Sequence, residues 1–132
     1  MIVDSSALIA LLQGEPTAEA IRSALKESES AAISAATLVE ASIVADGTRD
    51  AVRSSRFDVM IDELSLQVVA LTAEQARIAR QAYRDYGRGS GHAANLNFGD
   101  CFSYALAAER REPLLYVGDD FGHTDIRSAL AD

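Results

Sequence analysis

Five acidic residues stand where a chain of short strands and helices can use them for chemistry. Asp4 follows the apolar run Met1-Ile2-Val3, and Glu40 lies about one turn into the segment after Ala31–Ser34. Asp100 follows Asn97-Phe98-Gly99, and Asp119 and Asp120 follow Leu114–Val117. In a parallel sheet all strand C-termini lie on one edge, together with the N-termini of the helices that follow. Four acids separated by 36, 60 and about 20 residues therefore converge on one crevice. Carboxylates within ~4 Å repel, and some hold protons unless a cation sits among them. Magnesium or manganese supplies that cation, since both take oxygen ligands and magnesium commonly keeps several waters. No histidine–carboxylate or cysteine cluster points to zinc. A metal in such a crevice lowers the pKa of a bound water and orients it for attack on a phosphodiester, and a second ion ~4 Å away stabilises the leaving oxygen.

Each acid also has a plain structural reading. Asp4, Asp119 and Asp120 are good turn residues, Asp100 is a good N-cap, and Glu40 has a place on a solvent-facing helix side. The apolar neighbours Leu38, Val39, Ala41 and Ile43 favour a half-buried Glu40. Asp125, after Thr124, reads as a cap or as a residue behind the ligands.

The elements that must position these acids alternate along the chain. Met1–Asp4 reads as a strand, with Ser5 or Ser6 capping a short helix to Leu12. Gly14 breaks that helix, and Pro16 suits the first turn of a second one to about Ser28. Ala31–Ser34 is a short buried strand. Thr37–Asp46 is helical, and Arg49–Leu64 is a longer helix with Val52, Val59, Met60 and Leu64 as its inward side. Gln67–Leu71 is a β-branched strand, followed by a capping box over Thr72–Gln75 and a helix to about Tyr86. That helix turns Ala76, Ala79, Ala82, Tyr83 and Tyr86 inward. Gly87–Gly99 is a long loop. Asp100–Arg111 is a helix with Cys101, Tyr104, Ala105 and Ala108 inward, stopped at Pro113. Leu114–Val117 is the last clear strand, Gly118–Thr124 a turn-rich loop, and Asp125–Leu130 a weak helix or strand. Such alternation predicts an α/β fold with a mostly parallel sheet covered on both faces.

Composition bounds the rest. The chain has 132 residues, 48% of them hydrophobic, which is one domain with a real core. Its one cysteine, Cys101, excludes an internal disulfide framework. No run approaches the ~20 apolar residues of a membrane span, so a cytoplasmic protein is expected. The formal net charge of −8 argues against a generic nucleic-acid backbone binder. It allows an enzyme with metal in an acidic pocket, and a basic partner.

Four segments together resemble the PIN-domain toxins of the VapC type. They are Met1-Ile2-Val3-Asp4-Ser5-Ser6-Ala7-Leu8, Ile33-Ser34-Ala35-Ala36-Thr37-Leu38-Val39-Glu40, Leu96-Asn97-Phe98-Gly99-Asp100-Cys101-Phe102-Ser103-Tyr104-Ala105-Leu106-Ala107, and Pro113-Leu114-Leu115-Tyr116-Val117-Gly118-Asp119-Asp120-Phe121 with the residues to Ile126. The likeness spans essentially the whole chain, in order. It implies one PIN domain over 1–132, built as a three-layer α/β/α sandwich. It implies a magnesium- or manganese-dependent endoribonuclease, the toxin of a type II toxin–antitoxin pair. Asp4, Glu40 and Asp100 match the family's core acids, and the fourth is Asp120 or its neighbour Asp119. Asp4, Asp100 and Asp120 would then hold metal, and Glu40 would bind metal or position the attacking water. The family usually carries a basic residue where this chain has Val117. The resemblance also implies a cognate VapB-type antitoxin and a homodimer within the toxin–antitoxin complex.

Other residues have quieter readings. Arg84, Arg88 and His92 flank or lie within the long loop and are candidates for phosphate contact or plain solvation. Ser5 and Ser6 cap a helix or bond a metal-bound water. Cys101 reads as a buried thiol and His123 as a surface turn residue. Two rivals stand beside the ribonuclease. One is a related metal-dependent enzyme such as a DNA nuclease, and the other an inactive PIN-like interaction module. A dehalogenase-like phosphatase needs a second aspartate where Ser6 stands.

Overall fold

The computed structural model describes residues 1–130, so the final two residues of the domain expected over 1–132 lie outside the described residues. Its strands are β1 (Ile2–Val3), β2 (Ala32–Ser34), β3 (Gln67–Val69) and β4 (Leu114–Leu115). The helices are α1 (Ser5–Gln13), α2 (Ala18–Glu27), α3 (Ala35–Asp46), α4 (Ala51–Leu64), α5 (Ala73–Tyr86) and α6 (Asp100–Arg110). The strands form one parallel sheet in the order β3-β2-β1-β4.

Successive residues of a strand face opposite sides of a sheet. Ile2, Ala32 and Leu114 accordingly join one core with Ala79 and Ala82 of α5 and the inner face of α6. Val3, Ile33 and Leu115 join a second core with α1, α2, Ala41 and Ala45 of α3, and Phe57 of α4. The result is the expected α/β/α sandwich. Its topology follows from right-handed crossovers. The chain builds outward from β1 to β2 and β3 with α1–α4 on one face. It then crosses back to the far side of β1, and the reversed direction puts α5 and α6 on the other face. Strand order thus reverses between β1 and β4, and a crevice opens at their C-terminal ends.

Local chemistry sets the element ends. Asp4, not Ser5 or Ser6, caps α1, its side chain accepting from the Ser6 N–H. Gly14 ends α1 in the left-handed conformation at φ 64°, where glycine carries no Cβ penalty. Pro16 lies before α2, in the turn that leads to Thr17. Ser34 ends β2 and caps α3, whose start is therefore two residues earlier than the expected Thr37. The Thr72 capping box is half formed. Thr72 Oγ1 accepts from the Gln75 N–H, but the buried Gln75 side chain turns inward and donates to Glu109 Oε1 at 3.0 Å. Asp125–Leu130 contains no helix. Ser128 bridges Leu114 in parallel, and the Ala129 N–H donates to the Leu114 carbonyl, so this segment behaves as a fifth edge.

The inward face of α4 differs from the expected one. Val52 and Val59 are exposed, Phe57 is buried, and Met60, Ile61 and Leu64 pack partly against it. An aromatic ring fills more of the gap to the sheet than the valines of the opposite side can. On α5, Ala76 and Tyr83 are exposed while Ala79 and Ala82 are buried. Phe57→Ala should therefore cost about 3–5 kcal/mol, whereas Val52→Ala should stay within about 0.5 kcal/mol. Urea denaturation of the two variants measures the difference, and equal losses would restore the valine face as the buried one.

Candidate active site at the sheet edge

Asp4 ends the central strand β1 with its side chain only 2% exposed. Three donors hold it. The Ser6 N–H and hydroxyl donate to Oδ2 at 3.1 and 2.7 Å, and the Ser103 hydroxyl donates to Oδ1 at 2.5 Å. Ser6 Oγ in turn accepts from the Val117 N–H at 3.0 Å, which ties the segment after β4 to the β1 edge. Val117 supplies a backbone donor there and no cation.

Glu40 enters from α3 and is half-buried. The Ser5 hydroxyl donates to its Oε1 at 2.8 Å. Burial pushes the Glu40 carboxyl above its ordinary range, the Ser5 bond opposes that shift, and the Asp4 charge adds to it. Its other oxygen lies against the Cα of Gly99, so closely that a Cβ at position 99 would fall on the carboxylate. Gly99 has φ −65° and ψ −37°, a conformation open to any residue. A Cβ here would displace the end of the flexible Glu40 side chain, while the backbone angles make no demand for glycine.

Asp100 begins α6. Its N–H donates to Asn97 Oδ1 at 2.9 Å, and its Oδ2 accepts from the Asn97 N–H at 3.0 Å. This reciprocal pair has the form of a capping box with Asn97 as the cap. Burial pushes the Asp100 carboxyl up to about 6. The Asn97 N–H opposes that, and the charges of Asp4, Asp120 and Glu40 reinforce it. Asp119 and Asp120 are both exposed before the turn Phe121–His123, and of the two only Asp120 acts on Asp100. Four carboxylates from β1, α3, α6 and the segment after β4 thus share one electrostatic field. None of them forms a salt bridge among the described residues.

Donors of this kind, all of them oxygen, suit a hard divalent cation, and burial, with neighbouring charge behind it, raises the proton affinity of Glu40 and Asp100. Among the described residues no three of the acidic, histidine or cysteine side chains close into a ready cage.

The remaining candidates lie elsewhere. Arg84, Arg88 and His92 are exposed. The long loop is pinned where Gly87 bridges Leu96, and His92 stands edge-on to Tyr86 at 4.9 Å, its Nδ1 accepting from the Ala94 N–H. Cys101 is buried and donates to the Asn97 carbonyl, and burial pushes its thiol up to about 11, so it is inert at neutral pH. His123 is an exposed turn residue. Asp125 accepts from the Tyr104 hydroxyl at 2.7 Å, and its charge acts on Tyr104 and Tyr86, not on Asp100 or Glu40. Ser103, Thr37 and Gly99 escaped the sequence reading. A signal for Ser103 exists, since it lies three residues after Asp100 on an inward face that is otherwise apolar.

Comparison with known proteins places these features. The PIN domain matches residues 1–127. Ribonuclease VapC28 of Mycobacterium tuberculosis is 54% identical over 130 residues, covering 98% of each chain. The fold is shared with the crystal structure of M. tuberculosis VapC20, described as a sarcin-ricin loop cleaving toxin, at TM-score 0.75, 16% identity and 98% of each chain. It is also shared with a toxin–antitoxin complex from Klebsiella pneumoniae at TM-score 0.70 and 18% identity, covering 97% of this chain and 96% of that one.

Two outcomes follow from the geometry. A folded state that holds the Asp100 proton more tightly than the unfolded chain loses stability as pH rises from about 4 through about 6. Metal-free protein should therefore melt at a higher temperature at about pH 4.5 than at about pH 7 through this carboxyl, and Asp100→Asn should flatten that slope. Melting curves in chelator that run parallel for both proteins would contradict it. Separately, Gly99→Ala should cost at most about 1 kcal/mol, because the Glu40 carboxylate it meets is the end of a flexible side chain held by Ser5 and can move aside. Most of that loss should vanish in the Glu40→Ala background, and a double-mutant cycle with no coupling would rule the contact out.

Proposed function

The chain belongs to the PIN-domain family, in its VapC branch, and on that premise we propose how its acids cleave RNA. It is an RNA-cleaving enzyme of the VapC type, the toxin of a toxin–antitoxin pair. Asp4, Asp100 and Asp120 hold a divalent cation, with Asp119 next in line. Glu40 binds the same ion or orients the attacking water. The observation that carries this assignment is the shared field at the β1/β4 edge, in which the charges of Asp4, Glu40 and Asp120 all act on Asp100.

When bound, the cation lowers the pKa of a water and screens charge gathering on the phosphate. The chain's own residues do the rest. Asp4 is fixed by three donors and offers a rigid ligand. Glu40, half-buried and of raised proton affinity, is suited to accept a proton from the attacking water, with Ser5 holding its orientation. The water oxygen bonds to phosphorus as the bond to the 3′ oxygen breaks, and the leaving oxygen takes a proton from solvent. The products are a 5′-phosphate and a 3′-hydroxyl. Ligands that are all oxygen favour magnesium or manganese.

The partner is a VapB-type antitoxin that brings positive charge to an acidic edge whose carboxylates pair with no basic side chain among the described residues. A net charge of −8 favours the encounter. The toxin is a homodimer within that complex. No helix among the described residues is long and apolar enough to cross a membrane, and the substrate places the enzyme in the cytoplasm.

Labelled total RNA incubated with antitoxin-free protein tests the reading. Discrete products should require magnesium or manganese, disappear in chelator, and be lost in Asp4→Asn and Asp100→Asn proteins that remain folded. Full activity in either variant would sink the assignment of that residue, and cleavage unaffected by chelator would sink the metal.

A further inference from the structure

Behind the acidic edge lies a buried polar chain that the assigned roles leave unused. Asp4, Ser103 and Thr37 come from β1, α6 and α3, and the two hydroxyl residues are fully buried. Ser103 Oγ lies 2.5 Å from Asp4 Oδ1 and 3.2 Å from Thr37 Oγ1. A serine has one proton to donate. The short contact to a carboxylate oxygen claims it, so Thr37 is the donor to Ser103. The direction is therefore Thr37 to Ser103 to Asp4.

Counting acceptor sites gives this chain a purpose. A carboxylate offers about four lone-pair sites, two on each oxygen. Oδ2 spends both on the Ser6 N–H and hydroxyl. Oδ1 spends one on Ser103, which leaves a single open site on Oδ1. Ser103 sits on the interior side of that oxygen, on a helix whose own first residue is Asp100.

We propose that Ser103 is a positioning residue for the cation site, holding Asp4 Oδ1 from within the core so that its remaining lone pair faces the acidic crevice, with Thr37 fixing the serine rotamer. The same helix then sets two of the four carboxylates, Asp100 directly and Asp4 through Ser103. A hydroxyl is needed at position 103, because an apolar side chain leaves the Thr37 donor and one Asp4 oxygen buried without partners. The inference rests on the reading of Asp4 as a ligand.

Calorimetric titration of manganese into the antitoxin-free full chain tests it, with melting in chelator as the measure of fold. Ser103→Ala should weaken manganese by about 10- to 100-fold, the usual effect of losing a partner behind a metal ligand. Ser103→Thr keeps the hydroxyl and should recover most of the affinity. Thr37→Val should weaken binding by a smaller factor, since Ser103 keeps its proton on Asp4 but loses its anchor. Should Ser103→Ala fail to fold, Thr37→Val decides, and manganese affinity equal to that of the parent would overturn the proposal. A Ser103→Ala protein that melts early yet binds manganese normally assigns the serine to packing alone and overturns it too. Asp100→Asn separates the two levels. If it abolishes binding while Ser103→Ala does not, the site stands and the positioning role falls. If Asp100→Asn binds normally, the site reading falls and the positioning role with it.

Discussion

A nearly buried carboxylate at the end of the central strand is the constraint around which this structure is arranged. Burying such a group without partners is unfavourable by several kcal/mol (~2–7 for even a neutral polar group). Asp4 is instead met by donors from three directions: its own helix start at Ser6, the far helix at Ser103, and, through Ser6, the backbone of Val117. Each contact joins Asp4 to a different part of the chain. Placing the carboxylate therefore also fixes how β4, α1 and α6 sit against β1. The topological reversal between β1 and β4 makes room for this, because no crossover helix covers the sheet at that point.

Around Asp4 the fold tolerates an electrostatic conflict that it could have avoided. Glu40 and Asp100 are both held above their ordinary carboxyl ranges, chiefly by burial and then by their acidic neighbours. The groups that oppose this are hydroxyl and amide donors from Ser5 and Asn97, which stabilise charge without neutralising it. No basic side chain enters the cluster among the described residues. Net positive charge must come from outside, and a cation in the crevice would reverse the direction of both shifts. The two separate apolar cores on either face of the sheet are what absorb the cost. Repulsion at one edge is local, whereas Leu8, Ile21, Leu106 and Leu114 stay fully buried away from it.

The alternation of strands and helices was legible because each strand is a short apolar run with both faces covered, and parallel strands of that kind read continuously. The grouping of the acids was legible because Asp4, Asp100 and Asp120 stand at strand ends or a helix start, which a parallel sheet gathers on one edge, although each position also suits a turn or a cap. Helix faces were less so. α3 is apolar nearly all round, so Val39 and Ile43 are as hydrophobic as Ala41 and Ala45 but stand exposed. On α4 periodicity found a valine face, while the larger Phe57 took the core. Thr72 and Gln75 show the same limit at a cap: the spacing is right, but burial drew the glutamine side chain to Glu109. Gly99 was invisible for a different reason. Its backbone angles are helical, and only the Glu40 carboxylate, 59 positions away in the chain, accounts for the missing Cβ.

The structural and chemical readings of the acids, which look like alternatives along the sequence, coincide in space. Asp4 is a helix cap through its Oδ2, while its Oδ1 accepts from Ser103. Asp100 closes a capping pair with Asn97 through Oδ2 and still feels three other carboxylates. Capping and ligation make compatible demands, because a helix N-terminus needs an acceptor of fixed direction and a metal needs a rigid oxygen. A carboxylate, with two oxygens, is able to meet both. Asparagine is an equally good cap but brings no charge. Replacement by asparagine therefore separates what the fold needs from Asp4 and Asp100 from what the chemistry needs, where alanine would remove both at once.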